Sequence, residues 1–283
     1  LKIITYYAHS ENIYGQKHKL ANHLIQTGQF MAAFAGSEET KKLFYLTGLL
    51  HDLGKYQPKF QDYLDGIGSR GSVPHASWGA GFARSLGLNE ISIAIDGHHK
   101  GLPDVSMWKG DTEPYIRGEV EGFDSVVSAF ASDIGINLTD LKKIQKPKFK
   151  ESLHRETFIR YIYSALTDSD WLSTEQHFDE ILHANRTEVK LPIQDMINRL
   201  EEDFSKKPRD GEINEMRNRA REEALQKAEM PCGFYSLALP TGLGKTLTSM
   251  AWALKHARYN SLKRIIIVLP FINIIDQTAQ VLK

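Results

Sequence analysis

Two constellations in this 283-residue chain have side chains of the types and spacing to do chemistry. The first is a set of histidines and aspartates in the N-terminal part, headed by the adjacent pairs His51-Asp52 and His98-His99. Neighbouring residues on a helix point about 100° apart. Such a pair therefore serves two neighbouring ions, or one ion and its bound water, more readily than a single point. Imidazole with carboxylate, and no thiolate, favours Mn, Fe, Co, Ni or Mg over a structural zinc. Two such ions about 4 Å apart can clamp a phosphodiester, polarise its oxygens and make hydroxide available near neutral pH. No covalent nucleophile is then needed.

The second constellation is Leu239-Pro240-Thr241-Gly242-Leu243-Gly244-Lys245-Thr246, set between an apolar strand-like run and a helical pattern. Glycines there let successive backbone N–H groups face phosphate oxygens, and the following helix N-terminus adds positive potential. Thr241, Gly242, Gly244, Lys245 and Thr246 are the candidate ATP-binding residues. Lys245 would reach the β and γ phosphates and Thr246 would coordinate Mg. Leu239 stands where the usual P-loop pattern has its first glycine.

These residues need elements to hold them. From the start to about residue 175 the apolar spacing is helical, as in Leu20-Ala21-Leu24-Ile25, Leu43-Phe44-Leu46-Leu49-Leu50 and Phe158-Ile159-Ile162-Tyr163-Leu166. Breaker-rich stretches separate the helices at Asp65 to Pro74 and at Gly101 to Gly122, and the second reads as a mobile loop. A charged connector follows over residues 191–230, with a helix from Ile213 through Ala228. After Pro231 the pattern predicts a strand over residues 233–239, a helix near Leu247 to His256, and a second strand over residues 264–269, the sequence signature of a parallel βαβ unit. The expected domains are thus residues 1–190, a helical connector over 191–230, and the beginning of an α/β domain over 231–283.

Composition excludes several classes. With 41% hydrophobic and 25% charged residues, the chain is neither disordered nor fibrous. Its longest apolar run falls far short of the roughly 20 residues that cross a bilayer, so no membrane partner is expected. A single cysteine, Cys232, cannot form an internal disulfide, which fits the cytoplasm. Net charge is zero, yet Pro231 to Lys283 carries six Lys/Arg residues against one acid. That mildly basic stretch suits phosphate tracking and suits ordinary surface lysines equally.

The segment Leu49-Leu50-His51-Asp52-Leu53-Gly54-Lys55 resembles the defining motif of the HD phosphohydrolase superfamily. Its continuation through Gln61, together with Leu20-Ala21-Asn22-His23-Leu24, Pro74-His75-Ala76-Ser77-Trp78-Gly79-Ala80 and Gly97-His98-His99-Lys100-Gly101, resembles the CRISPR-associated HD nuclease-helicases of type I systems. The P-loop form Thr-Gly-x-Gly-Lys-Thr is similar to that of superfamily 2 helicases, as is the stretch Pro270 to Thr278 after the second strand. This resemblance implies an all-helical HD nuclease fold followed by the opening of a RecA-like domain. It implies His23, His51, Asp52, His75, His98, His99 and a final aspartate as ligands of two divalent ions, with His51, Asp52, His98 and His99 at the heart of catalysis. Asp170 fits the last place through Asp170-Trp171-Leu172, with Asp168 the alternative or a hydrogen-bond acceptor for a ligand histidine.

By the same resemblance, the chain cleaves single-stranded DNA delivered by an RNA-guided surveillance complex and is joined to an ATP-dependent helicase. The partner helicase motifs have no room before Lys283, so the chain is expected to be a fragment that binds ATP weakly and does not unwind DNA. Lys55, Lys59, Lys100, Trp108 and Lys109 are candidate DNA contacts, Lys55 equally a helix-capping lysine. His9, His18, His154, His177, His183 and His256 carry no spacing argument and stand outside the ligand set. Two other functions remain open: an HD phosphohydrolase of free nucleotides, and a non-catalytic docking module.

Overall fold

The computed structural model describes residues 5–67, 73–186 and 191–282. They divide into two compact units, Leu1–Arg186 and Thr187–Lys283. The first is mainly helical. It opens with a short antiparallel pair, β1 (Tyr7–Glu11) and β2 (Lys17–Lys19), in which His9 stands opposite His18. Then come α1 (Leu20–Ala33), α2 (Glu38–Leu50), a 3-10 turn at Leu53–Tyr56, α3 (Pro58–Leu64), α4 (Ala76–Ser85), α5 (Asn89–Gly97), α6 (Val105–Ile116), α7 (Phe123–Ile134), α8 (Leu138–Leu141), α9 (Ser152–Phe178) and α10 (Glu180–Ala184).

Helical spacing of buried residues fixes which face each element presents. On α1 the buried set is Leu20, His23, Leu24, Thr27, Gly28 and Met31, a single stripe at i, i+3, i+4, i+7 and beyond. Helix α2 starts at a reciprocal Ser37–Thr40 capping box and is buried without a break from Leu46 to Leu50. The two helices touch backbone to backbone, since a Cβ on Gly48 would lie 2.5 Å from Gly28 Cα. Only glycine permits that approach, and it sets His51, one turn beyond Gly48, against His23. The long α9 lays Ile162, Ala165, Leu166, Ser169 and Ser173 along the same core. Its N-terminal end is tied by Arg155 Nε to Glu90 Oε1 at 2.7 Å.

One loop expectation is corrected here. The stretch Gly101 to Gly122, read as a mobile loop, contains the twelve-residue helix α6. Asp104 caps it, accepting from the backbone N–H groups of Ser106 and Met107, both at 2.8 Å. Pro114 removes one internal donor, but tertiary bonds hold the helix: Trp108 Nε1 donates to Ser92 Oγ at 2.8 Å and Arg84 to Thr112 Oγ1 at 2.8 Å. Part of the other breaker-rich stretch, residues 68–72, lies outside the described residues.

The second unit contains α11 (Ile193–Lys206), α12 (Glu212–Gln226), α13 (Lys245–Tyr259) and α14 (Ile272–Leu282). The helices foreseen near 213–228 and 247–256 both form. The two strands foreseen at 233–239 and 264–269 do not pair, and among the described residues no ladder includes them. A helix satisfies its own backbone, whereas a strand exists only beside a hydrogen-bonded neighbour. Most apolar side chains of these segments are exposed, Ile266 at 80% and Val268 at 86%. No helix among the described residues is long and apolar enough to cross a membrane.

Candidate metal centre

Each ligand candidate sits at or beside a helix terminus or on a core-facing stripe. His23 lies on the buried face of α1 and Asp170 on α9, while His51 ends α2, His75 precedes α4 and His98 ends α5. Asp52 and His99 follow directly on their histidines. These seven residues converge as two overlapping groups, His23, His51, Asp52 and Asp170, and Asp52, His75, His98 and His99. Within each group the donor atoms lie within 4.8 Å of one another. Asp52 belongs to both. Its Oδ2 is 3.2 Å from His23 Nε2 and 3.3 Å from His51 Nε2, and its Oδ1 is 3.4 Å from His75 Nε2 and 3.6 Å from His98 Nε2.

Hydrogen bonds at the other ring nitrogen decide which atom each imidazole turns inward. Nδ1 of His51 donates to Gly48 O at 2.7 Å, and Nδ1 of His98 donates to Ile95 O at 2.6 Å. In both, the acceptor is the carbonyl three residues back on the same helix, so α2 and α5 orient their terminal histidines without outside help. His23 Nδ1 instead meets Ser173 Oγ on α9 at 2.9 Å. All three rings thus point Nε2 at the centre.

Divalent cations fit this donor set. His23 Nε2 and His51 Nε2 face each other at 3.1 Å, and His75 Nε2 and His99 Nε2 at 2.9 Å. With Nδ1–H committed to Ser173 and to Gly48, the His23 and His51 lone pairs would oppose one another unless positive charge lies between them. Asp52 is fully buried, and neither of its oxygens accepts a well-formed hydrogen bond, although Lys55 Nζ lies 2.6 Å from Oδ2. The buried His98 Nε2 has no partner either. Groups of this kind are costly to bury unless charge compensates them.

The electrostatics make the same demand. Burial depresses His51, but the neighbouring carboxylates of Asp52 and Asp170 outweigh it and raise its pKa to about 10. Burial opposes ionisation of Asp52, yet Lys55 and His51 hold its carboxyl well below the usual range. Asp170 is depressed likewise, against burial, by the imidazoles of His23 and His51 close beside it. In the second group, burial lowers His75 and His99 to about 4, so both are neutral ligand imidazoles at pH 7.

Several sequence expectations change at this point. Asp170 lies in the first group while Asp168 is exposed, so Asp168 neither joins the donors nor backs a histidine. Ser173 takes the backing role, a residue one turn beyond Asp170 on the same face of α9. That i, i+3 relation was the available signal. Lys55 is buried, pairs with Asp52 and donates to Ala8 O at 3.2 Å, so it is no surface phosphate contact. Trp108 is buried under Arg84, whose guanidinium sits 4.8 Å above its ring, and offers no stacking platform. Lys59 and Lys109 are exposed, and exposed Lys100 pairs with Asp96 and Asp111.

Two histidines left outside the set pack against it. His9 and His18 stack across the β1–β2 pair and abut His23, with which they form a third convergent group. Burial, aided by nearby positive charge, lowers His9 to about 2 and His18 to about 3. They wall the centre with neutral rings.

An HD domain family matches residues 20–118, the span from α1 to just past α6 that supplies every donor except Asp170. Residues 20–118 carry an HD domain. Behind it, residues 194–283 match the type III restriction enzyme res subunit family. A CRISPR-associated nuclease/helicase Cas3 from Haloferax volcanii is 22% identical over 88% of this chain. The chain spans about a third of that relative's length, 33%. The resemblance read from the motifs, an HD domain followed by a helicase-type domain, therefore holds.

In the helicase-type segment the loop before α13 turns on its glycines. Gly242 and Gly244 adopt φ of 91° and 74°, the left-handed region, and Lys245 and Thr246 open the helix with exposed side chains. Arg217 Nε donates to Gly242 O at 2.8 Å and ties α12 to the loop.

Proposed function

We propose that the HD domain is a metal-dependent phosphodiesterase that cleaves single-stranded DNA, working in type I CRISPR interference beside an ATP-driven helicase. The observation that carries this reading is Asp52, one buried carboxylate whose two oxygens face two separate groups of histidines. When bound, two divalent cations supply Lewis acidity to a phosphodiester and lower the pKa of a water. His23, His51 and Asp170 would hold one cation, His75, His98 and His99 the other, with Asp52 between them. Mn, Ni, Co, Fe or Mg suits this mixed nitrogen and oxygen set.

The chain's own residues do the positioning. Gly48 O and Ile95 O keep His51 and His98 in the tautomer that offers Nε2. Lys55, itself buried, balances part of the negative charge of the buried Asp52. His99, and after it His75 and Asp170, are the more exposed donors and mark the side on which a backbone phosphate would arrive.

The nuclease domain would occupy residues 1–190. Helices α11 and α12 would link it to an ATP-binding portion from residue 231, where Thr241, Gly242, Gly244, Lys245 and Thr246 cradle the phosphates with Mg. The relative named above supports a CRISPR setting; the reading places the chain in the cytoplasm, with guide-RNA pairing supplying sequence specificity and a surveillance complex supplying the strand. Purified protein given Mn2+, Ni2+ or Mg2+ should degrade single-stranded DNA, and Asp52→Asn should remove that activity. Hydrolysis of free nucleotides with DNA left intact would replace the substrate. Bound metal with no hydrolysis of any phosphodiester would leave a docking module.

A further inference from the structure

Three histidines of the centre expose a difference in how they are held. His51 and His98 each donate to a carbonyl of their own helix, a local arrangement that survives whatever α9 does. His23 alone is oriented by a side chain from another helix. Ser173 Oγ lies 2.9 Å from His23 Nδ1 and 2.7 Å from Gln26 Oε1, and Gln26 Nε2 lies 2.7 Å from Gln176 Oε1. The sequence runs α9, α1, α9, crossing the helix interface twice beyond the ring.

Donor and acceptor chemistry fixes the direction of this chain. Gln26 Oε1 only accepts, so the single Ser173 hydroxyl proton must go to it. Ser173 Oγ can then only accept from His23, which puts the ring proton on Nδ1 and the lone pair on Nε2. The Gln26 amide completes the line by donating to Gln176. Ser173 is fully buried, so no water can replace it without a rearrangement. The same helix face carries Asp170 one turn earlier, 3.3 Å from His23 Nε2.

We infer that Ser173, aligned by Gln26 and Gln176, is a positioning residue that makes a competent His23 conditional on the docking of α9 against α1. Asp170 and the correct His23 tautomer then arrive together, so the His23, His51, Asp52 and Asp170 group is completed by a tertiary contact, whereas the histidines His51 and His98 are set by their own helices. This rests on the metal-centre reading above, and the tautomer part of its test does not.

The experiment uses the whole chain. Long-range 15N–1H correlation spectra of the metal-free protein should give His23 protonated at Nδ1 in the wild type and in Ser173→Thr, which keeps the hydroxyl. In Ser173→Ala and in Gln26→Leu that proton should no longer be fixed on Nδ1. Calorimetric titration with Mn2+ should then show two binding steps in the wild type, one of them weakened about 10- to 100-fold in Ser173→Ala and restored in Ser173→Thr. Gln26→Leu, away from the ligand ring, gives the same ordering if Ser173→Ala fails to fold. An Nδ1-protonated His23 that persists in both Ser173→Ala and Gln26→Leu would overturn the relay. So would equal weakening of both Mn2+ steps, which marks a general loss of structure. A wild type that binds no Mn2+ while keeping the Nδ1 proton would instead remove the metal reading and leave the relay standing.

Discussion

At the scale of single residues, Asp170 and Asp168 separate function from decoration. Asp170→Asn should lower metal-dependent cleavage by roughly a hundredfold or more, because a donor of the first group loses its charge. Asp168→Asn, two residues away and exposed, should stay within about 0.5 kcal/mol of wild-type stability and keep its activity. Parallel activity and melting measurements on the two variants check this. Proton linkage gives a second expectation. His51, raised to about 10, is protonated at neutral pH and must give up its proton to a cation, whereas His75 and His99, lowered to about 4, are already neutral. Binding should therefore release the His51 proton near pH 7, and affinity should rise with pH. Calorimetry in buffers of different ionisation enthalpy measures that release. The ligand types were legible in the sequence because the HD motif and the His98-His99 pair are contiguous. Ser173 and Gln26 do not stand out by type, and Lys55 and Trp108, candidate DNA contacts by sequence, prove buried, because residue type does not say which way a side chain points.

At the scale of elements, glycines bring the ligand-bearing segments together. A Cβ on Gly54 would lie 2.7 Å from His75 Cα, so the 3-10 turn after Asp52 and the entry to α4 share one tight contact. Gly54→Ala should push His75 away, cost about 1–3 kcal/mol of stability, and weaken the second group more than the first. Thermal melts with and without Mn2+ report both effects. Helical faces could be read from apolar spacing in α1, α2 and α9, since that information is local. Helix α6 was hidden by Gly110 and Pro114, and its stability comes from Ser92 and Arg84 far along the chain. The apolar runs at 233–239 and 264–269 were visible, but pairing depends on a neighbouring strand, which no window of residues reveals.

At the scale of the whole molecule, ions should act as part of the fold of the HD domain. Removing them leaves the buried Asp52 carboxylate only partly balanced by Lys55 and the imidazoles facing one another, so chelation should lower the melting temperature and return of Mn2+ should restore it. Excess ion at about 100 times its dissociation constant corresponds to about 2.7 kcal/mol for one site. His51 makes the chelated protein pH-sensitive. Its pKa is raised from 6.5 to about 10, so the stability it contributes is full below 6.5 and is lost as pH rises through about 10. A melt series across that range follows the loss.

The most direct test is anomalous diffraction from Mn2+-soaked crystals of the whole chain. The account predicts two anomalous peaks about 4 Å apart, one on each side of the Asp52 carboxylate, the first ringed by His23, His51 and Asp170 and the second by His75, His98 and His99. A single peak that Asp52 does not share, or none within reach of these residues, would contradict it.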